Sequence, residues 1–172
     1  MSAEAAYLIR PLTPSDQDFL WEMLYQAIHV PAGMLPPDRA ILHRPDLAKY
    51  AAGWGRPDDL GFVAAEITSR SPVGAAWLRR FSAGQPGFGF VDEATPELSL
   101  AVLPGHRGQG VGTLLLGRLL EAARLHYPAV SLSVDKQNPA LRLYRRFGFE
   151  EAAARRASLT MKKSFSPAPP EK

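Results

Sequence analysis

The chain contains no cysteine. That one absence excludes disulfides, thiolate metal sites, a cysteine nucleophile and iron–sulfur clusters. Nor does any apolar run approach the roughly 18 residues that a membrane-spanning helix needs. The opening MSAEAAYLIRP carries Glu4 and Arg10 and has no apolar stretch of the kind a secretory leader requires. A cytoplasmic protein with no membrane partner is the expectation. Charge of one sign is scarce as well: 20 Lys and Arg against 17 Asp and Glu leave a formal net charge of +3. Part of that surplus sits near the end, where Arg155, Arg156, Lys162, Lys163 and Lys172 face only Glu171. A nucleic-acid surface gathers its cations on one face with aromatics between them, and no such cluster stands out. A mild positive balance suits a small anionic ligand equally well. The histidines at 29, 43, 106 and 126 show neither HxxxH nor HExxH spacing, so no metal is expected.

What is present describes an ordinary folded domain. With 172 residues, 46% of them hydrophobic, the chain can bury a core without staples. One domain is expected over 1–163, followed by a proline-rich, disordered tail at 164–172. A short strand at 7–12 runs into a helix start capped by Thr13 or Ser15. Phe19, Leu20, Met23, Leu24, Ala27 and Ile28 then recur at helical spacing until Pro31. A second helical stretch follows Pro36 and is interrupted at Pro45. Two apolar runs, 61–67 and 73–81, flank Ser69-Arg70-Ser71-Pro72 and predict a hairpin. Residues 82–90 read as a loop. A strand at 97–103 should put Leu98, Leu100 and Val102 on one face and Glu97, Ser99 and Ala101 on the other. Helix 111–126, a strand through Val130, Leu132 and Val134, and a helix capped by Asn138 and ended by Gly148 come next. Ala157, Leu159 and Met161 suggest a last strand.

The chemistry concentrates where the strand at 97–103 turns into a helix through Arg107-Gly108-Gln109-Gly110-Val111-Gly112. A helix N-terminus carries unpaired N–H groups and a partial positive charge, which favour an anion. Glycines let backbone approach a phosphate closely, and Arg107 adds a charged donor. The sequence lacks the Gly-Lys-Ser/Thr of a P-loop. The dinucleotide fingerprint GxGxxG fails too, at Thr113 or at Leu115 depending on where it starts. Asp135 at a strand end keeps a Rossmann rival in view, but the chain before the turn reads as helices and a hairpin rather than alternating βα units.

The spacing of Arg107, Gly110 and Gly112 resembles the pyrophosphate motif of the GNAT superfamily of acyl-CoA-dependent N-acetyltransferases. A second segment resembles that family's next motif: Leu132-Ser133-Val134-Asp135-Lys136-Gln137-Asn138-Pro139-Ala140, then Leu143-Tyr144-Arg145-Arg146-Phe147-Gly148-Phe149. The resemblance implies an α/β (α+β) fold, a mixed, mostly antiparallel sheet flanked by helices with splayed central parallel strands. It implies acetyl-CoA as co-substrate and a primary amine as acceptor, small-molecule or peptide. On this likeness the backbone of Leu100, Ala101 and Val102 would bind the pantetheine arm. The amides of Gly108, Gln109, Gly110, Val111, Gly112 and Thr113 would hold the pyrophosphate, and Asn138 would touch the cofactor. Tyr144 would protonate the departing thiolate, and Glu97, free of the core, could serve as base. Each has a plainer reading: Tyr144 as a packed helix aromatic, Glu97 as a solvent-facing carboxylate at a strand end. Trp54, Trp77, Phe81, Phe88 and Phe90 could wall an acceptor pocket or simply pack the core. The acceptor residues should fall in 29–58 and 82–94. Dimers are common among such proteins, which admits a homodimer without requiring one. A non-catalytic CoA-binding module is the alternative function.

Overall fold

In the computed structural model residues 2–166 are described. Seven strands form one mixed sheet: β1 (Tyr7–Pro11), β2 (Leu60–Glu66), β3 (Pro72–Arg79), β4 (Glu97–Val102), β5 (Ala129–Asp135), β6 (Glu150–Ala154) and β7 (Ser158–Ser164). Their order is β1-β2-β3-β4-β5-β7-β6. The helices are α1 (Gln17–Ala27), α2 (Pro45–Ala48), α3 (Val111–Ala123) and α4 (Ala140–Arg146). The expected class, α/β with a mostly antiparallel sheet flanked by helices, is what the chain adopts. It divides into two compact units, Met1–Arg79 with Leu98–Leu120, and Arg80–Glu97 with Glu121–Lys172.

In the first unit the α1 start is fixed by Asp16. Its Oδ2 accepts from the Thr13 N–H (2.9 Å) and from the Thr13 hydroxyl (3.1 Å), so the turn Pro14–Asp16 feeds directly into the helix. Leu20, Met23 and Leu24 give α1 its buried face. The second helical stretch is shorter than its pattern suggests: a 3-10 turn, Arg39–His43, then the single turn of α2. Pro45 is the reason, since it lacks an N–H and pushes Arg44 into extended backbone. The hairpin β2–β3 forms as predicted, antiparallel from Leu60↔Leu78, and β1 adds to it from Tyr7↔Glu66 to Pro11↔Phe62. At its end Arg79 is 1% exposed and forks onto Asp59 at 2.7 and 3.0 Å. The same guanidinium donates to the carbonyls of Lys49 and Ala52 and lies over the Trp54 ring. A buried charge is tolerated only when paired and hydrogen-bonded in this way.

In the second unit β5 pairs antiparallel with β7 from Ala129↔Ser164 to Asp135↔Ser158, and β7 pairs with β6. Glu97, the first residue of β4, pairs parallel with Ser131. Helix α4 ends in a Schellman motif: Gly148 takes φ +87°, its N–H donates to the Arg145 carbonyl, and the Phe149 N–H donates to Tyr144. One expectation needs correction. Ser164 closes β7 and Phe165 donates to Pro128, so ordered pairing runs past 163. The rest of the expected tail, 167–172, lies outside the described residues. Strand β6 was not predicted, because Glu-Glu-Ala-Ala-Ala has no alternation and buries nothing. Only the hydrogen bonds of β7 make it a strand.

Candidate active site

The turn after β4 is anchored before it does anything else. Leu103 N–H donates to the Val73 carbonyl at 2.8 Å, fixing the end of β4 against β3. Gly108 and Gly110 both take the left-handed conformation, φ +71° and +84°, which a side chain would resist. The first hydrogen bond of α3 runs from Leu114 N–H to Gly110 O, so the amides of Val111, Gly112 and Thr113 lie ahead of the helical ladder. Arg107, Gly108, Gln109 and Gly110 are all exposed. The turn is exposed over 107–110 and leads into backbone donors at a helix N-terminus, where Val111 is buried, Gly112 half-buried and Thr113 exposed.

The side chains of the turn mostly serve the turn itself. Arg107 Nε donates to the Val102 carbonyl (2.9 Å) and its Nη2 to Gln26 of α1 (3.1 Å). The guanidinium read from the sequence as an anion donor thus has a structural tie as well. Gln109 Nε2 donates to the Gly105 carbonyl at 3.1 Å. Tyr7, which the sequence reading passed over, reaches both His106 Nδ1 and Gln109 Oε1 at 2.9 Å. Its single hydroxyl proton goes to the amide oxygen, so His106 is the donor to Tyr7. His106 is half-buried in this network. Nothing in the sequence flags Tyr7, 99 positions from His106.

In the second unit Asn138 Oδ1 accepts from Ala140 N–H at 2.9 Å, the capping role its place before Pro139 suggests. That leaves its NH₂ as the group it can offer a ligand. Tyr144 is buried, edge-on to Phe149 with ring centroids 5.8 Å apart, the apolar contact of the Schellman cap. Burial raises the pKa of its phenol well above the ordinary value, so it stays protonated at neutral pH. Glu97 departs from expectation. It is 3% exposed rather than free, and its Oε1 accepts from Gly89 N–H at 2.8 Å. Gly89 has no room for a side chain: a Cβ there would sit 2.5 Å from the Leu132 carbonyl carbon. Nor does β4 keep its predicted faces, since Leu98 and Ala101 are buried while Leu100 and Val102 are half-buried. Trp54 and Trp77 are core, each donating its indole N–H to a carbonyl, whereas Phe88 is 47% exposed.

A family model described as the acetyltransferase (GNAT) family matches residues 21–149, three quarters of the chain. The chain belongs to the GNAT acetyltransferase family. It is an acyltransferase, and the Rossmann oxidoreductase reading falls. No curated protein matches the sequence. Among solved structures, a ribosomal-protein-alanine N-acetyltransferase from Brucella melitensis is 25% identical, covering 92% of this chain and 99% of its own, with a TM-score of 0.59. The Salmonella typhimurium acetyltransferase yncA, solved with its cofactor acetyl-CoA, is 23% identical over 95% and 96%, with a TM-score of 0.64. A GNAT-family protein from Bordetella pertussis is 23% identical over 92% and 96%, with a TM-score of 0.65. The matched span holds both the glycine turn and Tyr144. It omits β1, and with it Tyr7.

Proposed function

We propose that the enzyme moves an acetyl group from acetyl-CoA to a primary amine by direct attack. The observation that carries this reading is the exposed turn in which Gly108 and Gly110 hold the amides of Val111, Gly112 and Thr113 at the head of α3. A pyrophosphate needs such convergent backbone donors, and glycine lets it come close. The GNAT resemblance gives the pantetheine arm to the backbone of Leu100, Ala101 and Val102, and a polar contact to the Asn138 amide. Because the thioester is already activated, the protein has only to orient the amine and move protons. The amine nitrogen bonds to the carbonyl carbon, the C–S bond breaks, and the thiolate takes the proton of Tyr144. The buried phenol is neutral, as a donor must be. Glu97 is the candidate base, working through water on the amine's proton.

One observation favours a second reading of Glu97. Its hydrogen bond to Gly89 makes it a clamp on the loop before β4. Glu97→Gln separates the two, since the amide oxygen can still accept from Gly89 while the basic carboxylate is gone. Loss of an ionisation from the pH–rate profile supports the base; an unchanged profile assigns Glu97 to the clamp. For the reaction as a whole, calorimetry with acetyl-CoA, CoA and NAD is paired with thiol release on a panel of amines. Tight acetyl-CoA binding, no NAD binding and turnover on one or more amines are expected. Binding without turnover on any amine would make the chain a CoA-binding module, and failure to bind acetyl-CoA would overturn the reading.

A further inference from the structure

Strand β6 is an edge of the sheet, paired on one side only, with β7. All five of its residues are exposed, and exposure continues through Arg155, Arg156 and Ala157. An exposed edge offers unpaired N–H and C=O groups to any other strand, and charge is the usual means of blunting it. Here the charge has a pattern. Glu150-Glu151-Ala152-Ala153-Ala154-Arg155-Arg156 is its own mirror image about Ala153 with the signs inverted. None of the four charged side chains makes an ion pair among the described residues. The opposite edge differs: Arg10 of β1 is already committed to Asp16.

We propose that β6 is the interface of a homodimer, in which two copies of this edge pair antiparallel about a twofold axis at Ala153. In that register Glu151 of each copy faces Arg155 of the other and Glu150 faces Arg156, so all four opposite-charge pairs form. Arg155 and Arg156 both lie in the turn beyond the strand, which ends at Ala154, and reach their partners through their long side chains. Sliding one residue either way leaves only half of the charges opposed. Parallel pairing in register sets glutamate on glutamate and arginine on arginine. Cross-strand pairs of opposite charge stabilise a sheet and like pairs destabilise it, so the pattern selects one arrangement. Twofold pairing is the isologous contact that such a self-complementary patch demands. The three alanines keep side chains out of the way of the approaching backbone. The irregularity between Glu151 and Ala153 shortens the ladder, so charge rather than hydrogen bonding sets the register. A strand this short buries less than the roughly 1,000 Å² typical of stable complexes, so the dimer is weak and salt-sensitive.

Sedimentation velocity of the whole chain, over a concentration series at low and high salt, provides the test. Wild type should shift reversibly from monomer to dimer as concentration rises, and less so in salt. E150R/E151R and R155E/R156E should each be monomeric, because each edge then carries one sign. Mixed together they should form a heterodimer, and the fourfold variant with all charges exchanged should dimerise like wild type. That last variant guards against mere misfolding, since Glu150 lies opposite Lys162 and E150R places like charges there. A wild type that stays monomeric throughout would overturn the proposal. So would double variants that dimerise as wild type does, or a mixture that stays monomeric.

Discussion

The glycine turn in the first unit and the two residues proposed for catalysis in the second, Tyr144 and Glu97, differ in which part of the chain would do the work. At the turn the backbone is what faces outward: Gly108 and Gly110 set its shape, and Arg107 and Gln109 send donors back to Val102, Gln26 and Gly105. At Tyr144 and Glu97 the backbone is committed to cap and strand, and the chemistry proposed for them rests on one phenol and one carboxylate, both buried. A site made of backbone is robust to most side-chain changes but vulnerable to charge and to backbone strain. A site made of side chains can lose its chemistry through the removal of one oxygen.

That contrast predicts a graded set of outcomes. Tyr144→Phe keeps the ring packed against Phe149 and removes only the hydroxyl. Turnover should fall by roughly 10²–10⁴, with acetyl-CoA affinity nearly unchanged. Steady-state kinetics beside calorimetry checks it, and wild-type turnover would return Tyr144 to a packing role. The first unit should break most easily far from its turn. Asp59→Ala strands the buried Arg79 guanidinium and should cost about 3–5 kcal/mol in urea unfolding. Thr113→Glu is aimed at the turn itself. A carboxylate in the first turn of a helix favours the helix, so thermal stability should hold, yet it should repel a pyrophosphate and weaken acetyl-CoA binding about tenfold or more. Undiminished affinity would remove the pyrophosphate from this turn.

The smallest effect concerns pH. The hydrogen bond from Arg10, helped by those from Thr13, holds the Asp16 carboxyl below its usual range against the opposing pull of burial. A carboxyl whose pKa falls on folding adds stability above its unfolded value, near 3.9, and that share is lost as pH drops through the lowered folded value. Asp16→Asn should therefore cost about 1 kcal/mol at neutral pH, with the gap to wild type closing in acid. Unfolding midpoints measured from pH 7 down to pH 3 read it directly.

Legibility in the sequence followed the same division. The turn could be read because strained backbone demands glycine, and glycine is visible in the sequence. Helix α4 could be read from Asn138, Pro139 and Gly148, each of which does what its type requires. Glu97 was misjudged because strand alternation assumes that one face meets solvent, whereas the loop carrying Gly89 covers it. Tyr7 and the Arg79–Asp59 pair were out of reach, since no local pattern records a partner so distant in the chain. Strand β6 was invisible for the opposite reason. It has no buried face to leave a periodicity.

Gly89 carries one more consequence. The loop between β3 and β4 is pinned near its middle, with backbone against backbone at Leu132 and Ser133 and an amide held by Glu97. A chain fastened at its midpoint behaves as two short spans, each with less closure entropy to lose than the whole. The two spans are also laced to each other, since the Glu93 carboxylate accepts from the Ala83 N–H at 2.9 Å and the Glu93 carbonyl from Arg80 Nε at 2.8 Å, so a change of length in one arm is felt in the other even though the pin at Gly89 holds.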